Sequence, residues 1–162
     1  MLGGGLIIKK MRESIPEYHL VKGLQQKFYA FTENYKLFGG IYFWQGEMDA
    51  KNWFNQAWYD RTERKYGKKG IVDFYKVQKV NNFTNAPSQN NQCWSVLTRS
   101  NSPLSANITT KGILKEIFLT SSTDEKYYLT IWKDKSLAED FFKGKGLRSE
   151  YFDSPIFIDN SK

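Results

Sequence analysis

Two segments of this chain carry the same landmarks in the same order, and an internal repeat limits the possible folds more than composition can. In the first, Gly23-Leu24-Gln25-Gln26-Lys27-Phe28-Tyr29-Ala30-Phe31 reads as a strand opening after a turn. A polar link, Thr32 to Lys36, leads to Gly39-Gly40-Ile41-Tyr42-Phe43-Trp44. In the second, Gly112-Ile113-Leu114-Lys115-Glu116-Ile117-Phe118-Leu119 is followed by a polar link, Thr120 to Glu125, and then by Tyr127-Tyr128-Leu129-Thr130-Ile131-Trp132. Two β-rich runs joined by a short polar loop predict an antiparallel hairpin. The glycine-to-tryptophan spacing agrees between the copies to within one residue of loop.

The match continues beyond each tryptophan. Ala50, Trp53 and Phe54 follow Trp44 at the same offsets as Ala138, Phe141 and Phe142 follow Trp132. Such spacing puts each trio on one helical face. A helix over 49–66 is predicted, capped by Asp49 and burying Ala50, Trp53, Phe54 and Ala57, with Lys51, Asn55 and Arg64 in water. The second helix begins with a capping box, Ser136 to Glu139. Gly67 and Gly144 can end the two helices in left-handed caps. Each copy closes on a β-rich run, 74–82 and 152–160, and Pro155 in the latter predicts an edge or a bulge.

The fronts of the copies are less regular. Gln92 to Thr98 offers an opening strand for the second, and Ser102 to Lys111 leaves room for a turn or two of helix. The first has a predicted helix over 6–14, ended before Pro16, and almost no chain ahead of it for a strand. The expected fold is therefore α+β: two ferredoxin-like units in tandem, each an antiparallel sheet with helices on one face. Residues 1–82 form the first unit with its opening strand missing, 83–91 an amide-rich linker, and 92–162 the second, degenerate unit.

Lys and Arg exceed Asp and Glu by 24 to 17, a net charge of +7. The basic residues are interleaved with acids, and the densest patch, Arg61 to Lys69, falls at a predicted helix C-terminus, so no nucleic-acid partner is expected. No apolar run approaches the ~18–20 residues that span a bilayer, and the N-terminus lacks a basic leader region, so no membrane partner is expected. The single cysteine, Cys93, leaves no internal disulfide or Cys-rich metal site, reads as a small buried hydrophobe, and fits a reducing cytoplasmic setting.

The stretch from Ile15 to Asn82 resembles the antibiotic-biosynthesis-monooxygenase-like superfamily of dimeric α+β barrel proteins, and especially its YdhR-like "putative monooxygenases". The residues that carry the resemblance are Val21-Lys22-Gly23-Leu24 with Lys27 and Tyr29, the run Gly39 to Trp44, Asp49-Ala50, Trp58, Arg61 with Tyr66-Gly67, and Asn81-Asn82. Members usually carry one unit and dimerise, so a tandem pair implies an internal pseudo-dimer that can also self-associate. The resemblance implies oxygen insertion into a small aromatic or polyketide-like molecule without cofactor or metal. Such chemistry needs a base, donors for a developing anion and dry apolar walls.

Lys27, Tyr29, His19 and Arg61 are the candidate catalytic groups, and Tyr42, Trp44, Trp53, Trp58 and Tyr75 the candidate substrate contacts, with Tyr59 a further polar group. Each also has a plainer role: His19 as a cap, the tryptophans as core, Lys27 as an edge-protecting lysine. Haem-degrading relatives hold iron with a helix histidine, and neither predicted second helix has one. A non-catalytic ligand binder and a structural protein of the same fold stand as alternatives. Glu116 and Phe118 align with Lys27 and Tyr29, so any pocket is expected in the first half, with the second as a built-in partner.

Overall fold

The computed structural model describes residues 4–83 and 92–161; most of the expected linker lies outside the described residues. Seven strands and four helices give a mixed α+β protein with antiparallel strand pairing. The chain forms two compact units that do not divide it at one point. The first takes residues from 1–29, 40–73 and 158–162, and the second those from 30–39 and 74–157.

The first unit holds α1 (Gly4–His19), most of β1 (Leu24–Thr32) and of β2 (Phe38–Trp44), α2 (Glu47–Trp53) and α3 (Gln56–Tyr66). Helix α1 runs past Pro16, where the sequence predicted its end. Proline forfeits one helical hydrogen bond. Packing offsets that loss, because Ile7 and Met11 are buried on the face that continues to Ser14 and Tyr18, and Tyr18 meets the rings of Tyr29, Tyr42 and Trp53.

The predicted helix 49–66 is broken in two. Phe54 closes α2 with non-helical backbone, and the Asn55 side chain accepts the N–H of Trp58 to cap α3. An asparagine that can cap competes with continuing the helix. The break rotates the second half, so Ala57 is exposed while Ala50 is buried and Trp53 and Phe54 are half-buried. Lys51, Asn55 and Arg64 are exposed as expected. The N-cap of α2 is Gly46, not Asp49. Asp49 instead lies against Gly23, whose φ of +78° and lack of a Cβ let the two approach. Gly67 caps α3 in the left-handed conformation.

The second unit comprises β3 (Tyr75–Asn82), β4 (Cys93–Arg99), β5 (Ile113–Ser121), β6 (Lys126–Trp132), α4 (Lys135–Phe142) and most of β7 (Arg148–Asp159). Its strand order is β7-β4-β6-β5-β3. Trp132 is fully buried among Val96, Ile113, Ala138 and Phe142, and its Nε1 donates to Thr130 Oγ1 at 2.7 Å. The cap of α4 is Asp134, two residues ahead of the predicted Ser136, and accepts from both the Leu137 N–H and the Ser136 hydroxyl. Residues 102–111 form bends and turns rather than helix, pinned by the buried Leu104. Pro155 follows Ser154, the last β7 residue that pairs with β4, so its missing N–H costs that ladder nothing. Cys93 is fully buried, and burial pushes its thiol up to about 12, well out of the reactive range.

Candidate functional site

Strand alternation brings the site together. Lys27 and Tyr29 are two apart on β1 and share a face, and Gly40, Tyr42 and Trp44 share one on β2. Tyr18 comes from the last turn of α1 and Trp53 from the end of α2. Lys27 is only 3% exposed. Its Nζ lies 3.3 Å from the ring centroid of Tyr18, 4.1 Å from that of Tyr29 and 4.6 Å from that of Tyr42. The approach depends on Gly40, where a Cβ would fall 2.7 Å from the Tyr42 ring and 2.9 Å from Lys27 Cε.

The cage is electrostatically unusual. Lys27 makes no ion pair among the described residues, since Glu17, the nearby acid, pairs with Arg61 at 3.5 Å. Burial therefore lowers the lysine well below its ordinary range, helped by the like charges of Lys65 and Arg61 and opposed by Glu17. Ring faces attract a cation, yet an ammonium cut off from water loses more than such contacts return. The tyrosines move the other way. Burial raises Tyr18, Tyr29 and Tyr42 above the ordinary phenol range, so all three stay protonated.

Their hydrogen bonds fix the direction of donation at one point. Ser14 Oγ donates to the Met11 carbonyl at 2.6 Å, so its contact with Tyr29 at 2.5 Å is one in which Tyr29 donates. The hydroxyls of Tyr18 and Tyr42 are 3.3 Å apart. Trp53 Nε1 is buried with no hydrogen-bond acceptor among the described residues, an uncommon state for an N–H donor. It belongs to the same cluster, with the Tyr18 ring 5.5 Å away and the Arg61 guanidinium 5.3 Å from its own ring.

The structure thus brings together Lys27, Tyr29, Tyr42, Trp53 and Arg61 from the predicted set and adds Tyr18 and Ser14. Tyr18 was missed because helix α1 is predicted to stop before Pro16, and Ser14 because it is the last residue of that predicted helix. A stripe of Ile7, Met11, Ser14 and Tyr18 at helical spacing was the available signal. Trp44 stacks parallel to Tyr42 with ring centroids 5.9 Å apart, and Trp58 contacts Phe54 and Tyr59. His19 is exposed at the C-terminal end of α1, bonded through Nδ1 to Asn160 Oδ1 at 2.9 Å and outside the cage, while Asn160 Nδ2 donates to the Tyr18 carbonyl. Tyr75 stands on β3 of the second unit with its ring against Tyr127. A cleft of about 750 Å3 opens in the second unit, beside Arg99, Leu104 and Arg148, although the sequence pointed to the first half. Among the described residues no group of three His, Cys, Asp or Glu side chains is close enough to hold a metal, and none of the helices is long and apolar enough to cross a membrane.

No family model and no curated protein matches this chain. Two solved structures resemble it. A "putative monooxygenase" from Fusobacterium nucleatum subsp. nucleatum matches with a TM-score of 0.61 at 12% identity, over 93% of this chain and 88% of that one. A "putative monooxygenase" from Lactobacillus acidophilus matches with a TM-score of 0.53 at 9% identity, over 94% and 86%. At such identities the likeness establishes a shared, monooxygenase-like fold.

Proposed function

We propose that the Lys27 cage is the working site of a monooxygenase-like oxidoreductase that acts on a small aromatic or polyketide-like molecule without a metal or flavin. The observation that carries this reading is a lysine buried in a shell of three tyrosine rings with no carboxylate partner among the described residues. A lysine so placed is a neutral amine at lower pH than usual and can act as a base. Its task is to take a proton from a methylene flanked by aromatic or carbonyl groups. The resulting carbanion gives its electron pair to dioxygen, one oxygen atom becomes a ketone, and the other leaves as water. Trp53 Nε1–H and the Tyr18 and Tyr42 hydroxyls are donors for the enolate that precedes oxygen attack. The names carried by both structural neighbours lend support.

We also read the chain as a tandem repeat with a second half retained for packing. Gln45 N–H donates to the Gly23 carbonyl at 2.7 Å, and Lys133 N–H to the Gly112 carbonyl at 2.9 Å, one residue beyond Trp44 and Trp132 respectively. Asp49 crowds Gly23 as Leu137 crowds Gly112. Where the first copy has Lys27, the second buries Glu116, which accepts from Asn81 at 3.4 Å and whose other oxygen has no partner among the described residues. A second reading, a non-catalytic structural site, is favoured by the closeness of the three rings to Nζ, which fills the space a substrate must enter.

Oxygen uptake with an anthrone-type methylene substrate separates the two. The proposal expects ketone formation in step with oxygen uptake, and a loss of roughly a hundredfold or more in Lys27→Met. Turnover that survives Lys27→Met unchanged contradicts it, and binding without turnover favours the second reading.

A further inference from the structure

The cleft in the second unit faces a problem of like charge. In the β4–β7 ladder Arg99 and Arg148 are direct partners, two cations at one position of an antiparallel pair, where like charges disfavour folding. Arg99 is partly answered by Glu125 at 3.3 Å, but Arg148 makes no ion pair among the described residues. Lys145 lines the same cleft, its Nζ held 4.5 Å over the Phe141 ring. Three cations therefore line one concave surface, with Glu125 paired to Arg99 and Glu150 two residues beyond Arg148 on the same strand.

The turn that borders the cleft after Arg99 is held by its own hydrogen bonds. Ser100 Oγ donates to the Ser102 carbonyl at 2.7 Å and accepts the Ser102 N–H at 3.2 Å, so the turn after β4 is held in one shape. Leu104, 4% exposed, anchors it to the core, and Ser105 adopts a left-handed φ of +65° that a residue with a side chain seldom takes. A like-charge pair beside a fixed loop is an arrangement that an anion relieves. Leu104 and Leu147 add apolar surface to it.

We propose that this cleft binds the phosphate group of a small phosphorylated molecule, with Arg99, Arg148 and Lys145 as the charged contacts. Guanidinium groups offer paired N–H donors that match phosphate oxygens, and cross-strand partners are close enough to share one such group. The assignment is independent of the Lys27 site.

The test is a titration of the full chain with inorganic phosphate and with phenyl phosphate, followed by amide NMR at constant ionic strength set with chloride. Saturable shifts at residues 100–105 and 145–148 are expected, with phenyl phosphate binding several-fold more tightly because of the apolar wall. Arg148→Gln is expected to weaken both by about tenfold or more. Without phosphate that variant is expected to melt no lower than wild type, because the like-charge pair is relieved, which separates lost binding from lost folding. Lys68→Gln with Lys69→Gln, in the other unit, is expected to leave binding unchanged. Shifts that do not saturate, equal weakening by the Lys68/Lys69 variant, or unchanged binding in Arg148→Gln overturns the proposal.

Discussion

Lys27 Nζ lies 3.3 Å from the centroid of the Tyr18 ring, a contact between a β1 side chain and the last turn of a helix that continues past a proline. The extra turn of α1 therefore supplies the lid of the cage. Had the helix ended before Pro16, Lys27 would lack its nearest ring.

Removing the amine tests the electrostatic cost of the cage. Lys27→Met keeps the length of the stem and deletes a buried group that resists charging, so it is expected to raise stability at neutral pH by about 1 kcal/mol or more. The pH dependence carries the sign. Between the lowered folded value and the ordinary ~10.4, the unfolded chain holds a proton that the folded chain lacks, so stability rises with pH across that window. Denaturant unfolding across the alkaline range should show that rise in wild type and its loss in Lys27→Met.

Two neighbouring glycines separate a steric requirement from a general one. A Cβ on Gly40 collides with Tyr42 and Lys27, whereas one on Gly39 meets nothing within 4 Å. Gly40→Ala is expected to cost about 1–3 kcal/mol through overpacking, and Gly39→Ala to change stability by less than about 1. Equal effects of the two in urea unfolding would contradict the packing of the cage.

In the second unit, Trp132→Ala is expected to cost ~3–5 kcal/mol, since the ring is fully buried and its N–H is bonded. Trp53→Ala should cost less than Trp132→Ala, because Trp53 is half-buried and its N–H has no acceptor to lose. Thermal unfolding of the pair checks the ranking.

Glu116 gives a pH signature opposite to that of Lys27. Burial raises its carboxyl above the usual range, so the folded chain keeps a proton that the unfolded chain has released. Its contribution is full below about 4.3, the unfolded value, and is lost as pH rises through the raised folded one. Glu116→Gln should remove that fall, and a wild-type difference that does not vary with pH would be the contrary result.

The hairpins and the burial of Cys93 were legible in the sequence because alternation and turn composition are local signals. Strand period alone puts Lys27 and Tyr29 on one face, and Tyr42 joins them only once β1 and β2 are folded. What could not be read was tertiary. Pro16 inside α1 is tolerated because Tyr18, half-buried, packs against Tyr29 and Trp53, a gain set by residues far along the chain. The break at Asn55 reflects a choice between a cap and another helical turn, which periodicity does not weigh. The cleft depends on Arg99 facing Arg148, a register that appears only once β4 and β7 are paired.

The central claim is that Lys27 is an amine poised to accept a proton, and its own titration tests this most directly. Chain carrying 13C at the lysine ε-carbons, followed by NMR across the neutral and alkaline range with Lys27→Met to assign the signal, reads the proton without any substrate. The account predicts a Lys27 midpoint well below those of the exposed lysines. A midpoint with theirs, near the ordinary ~10.4, would contradict it.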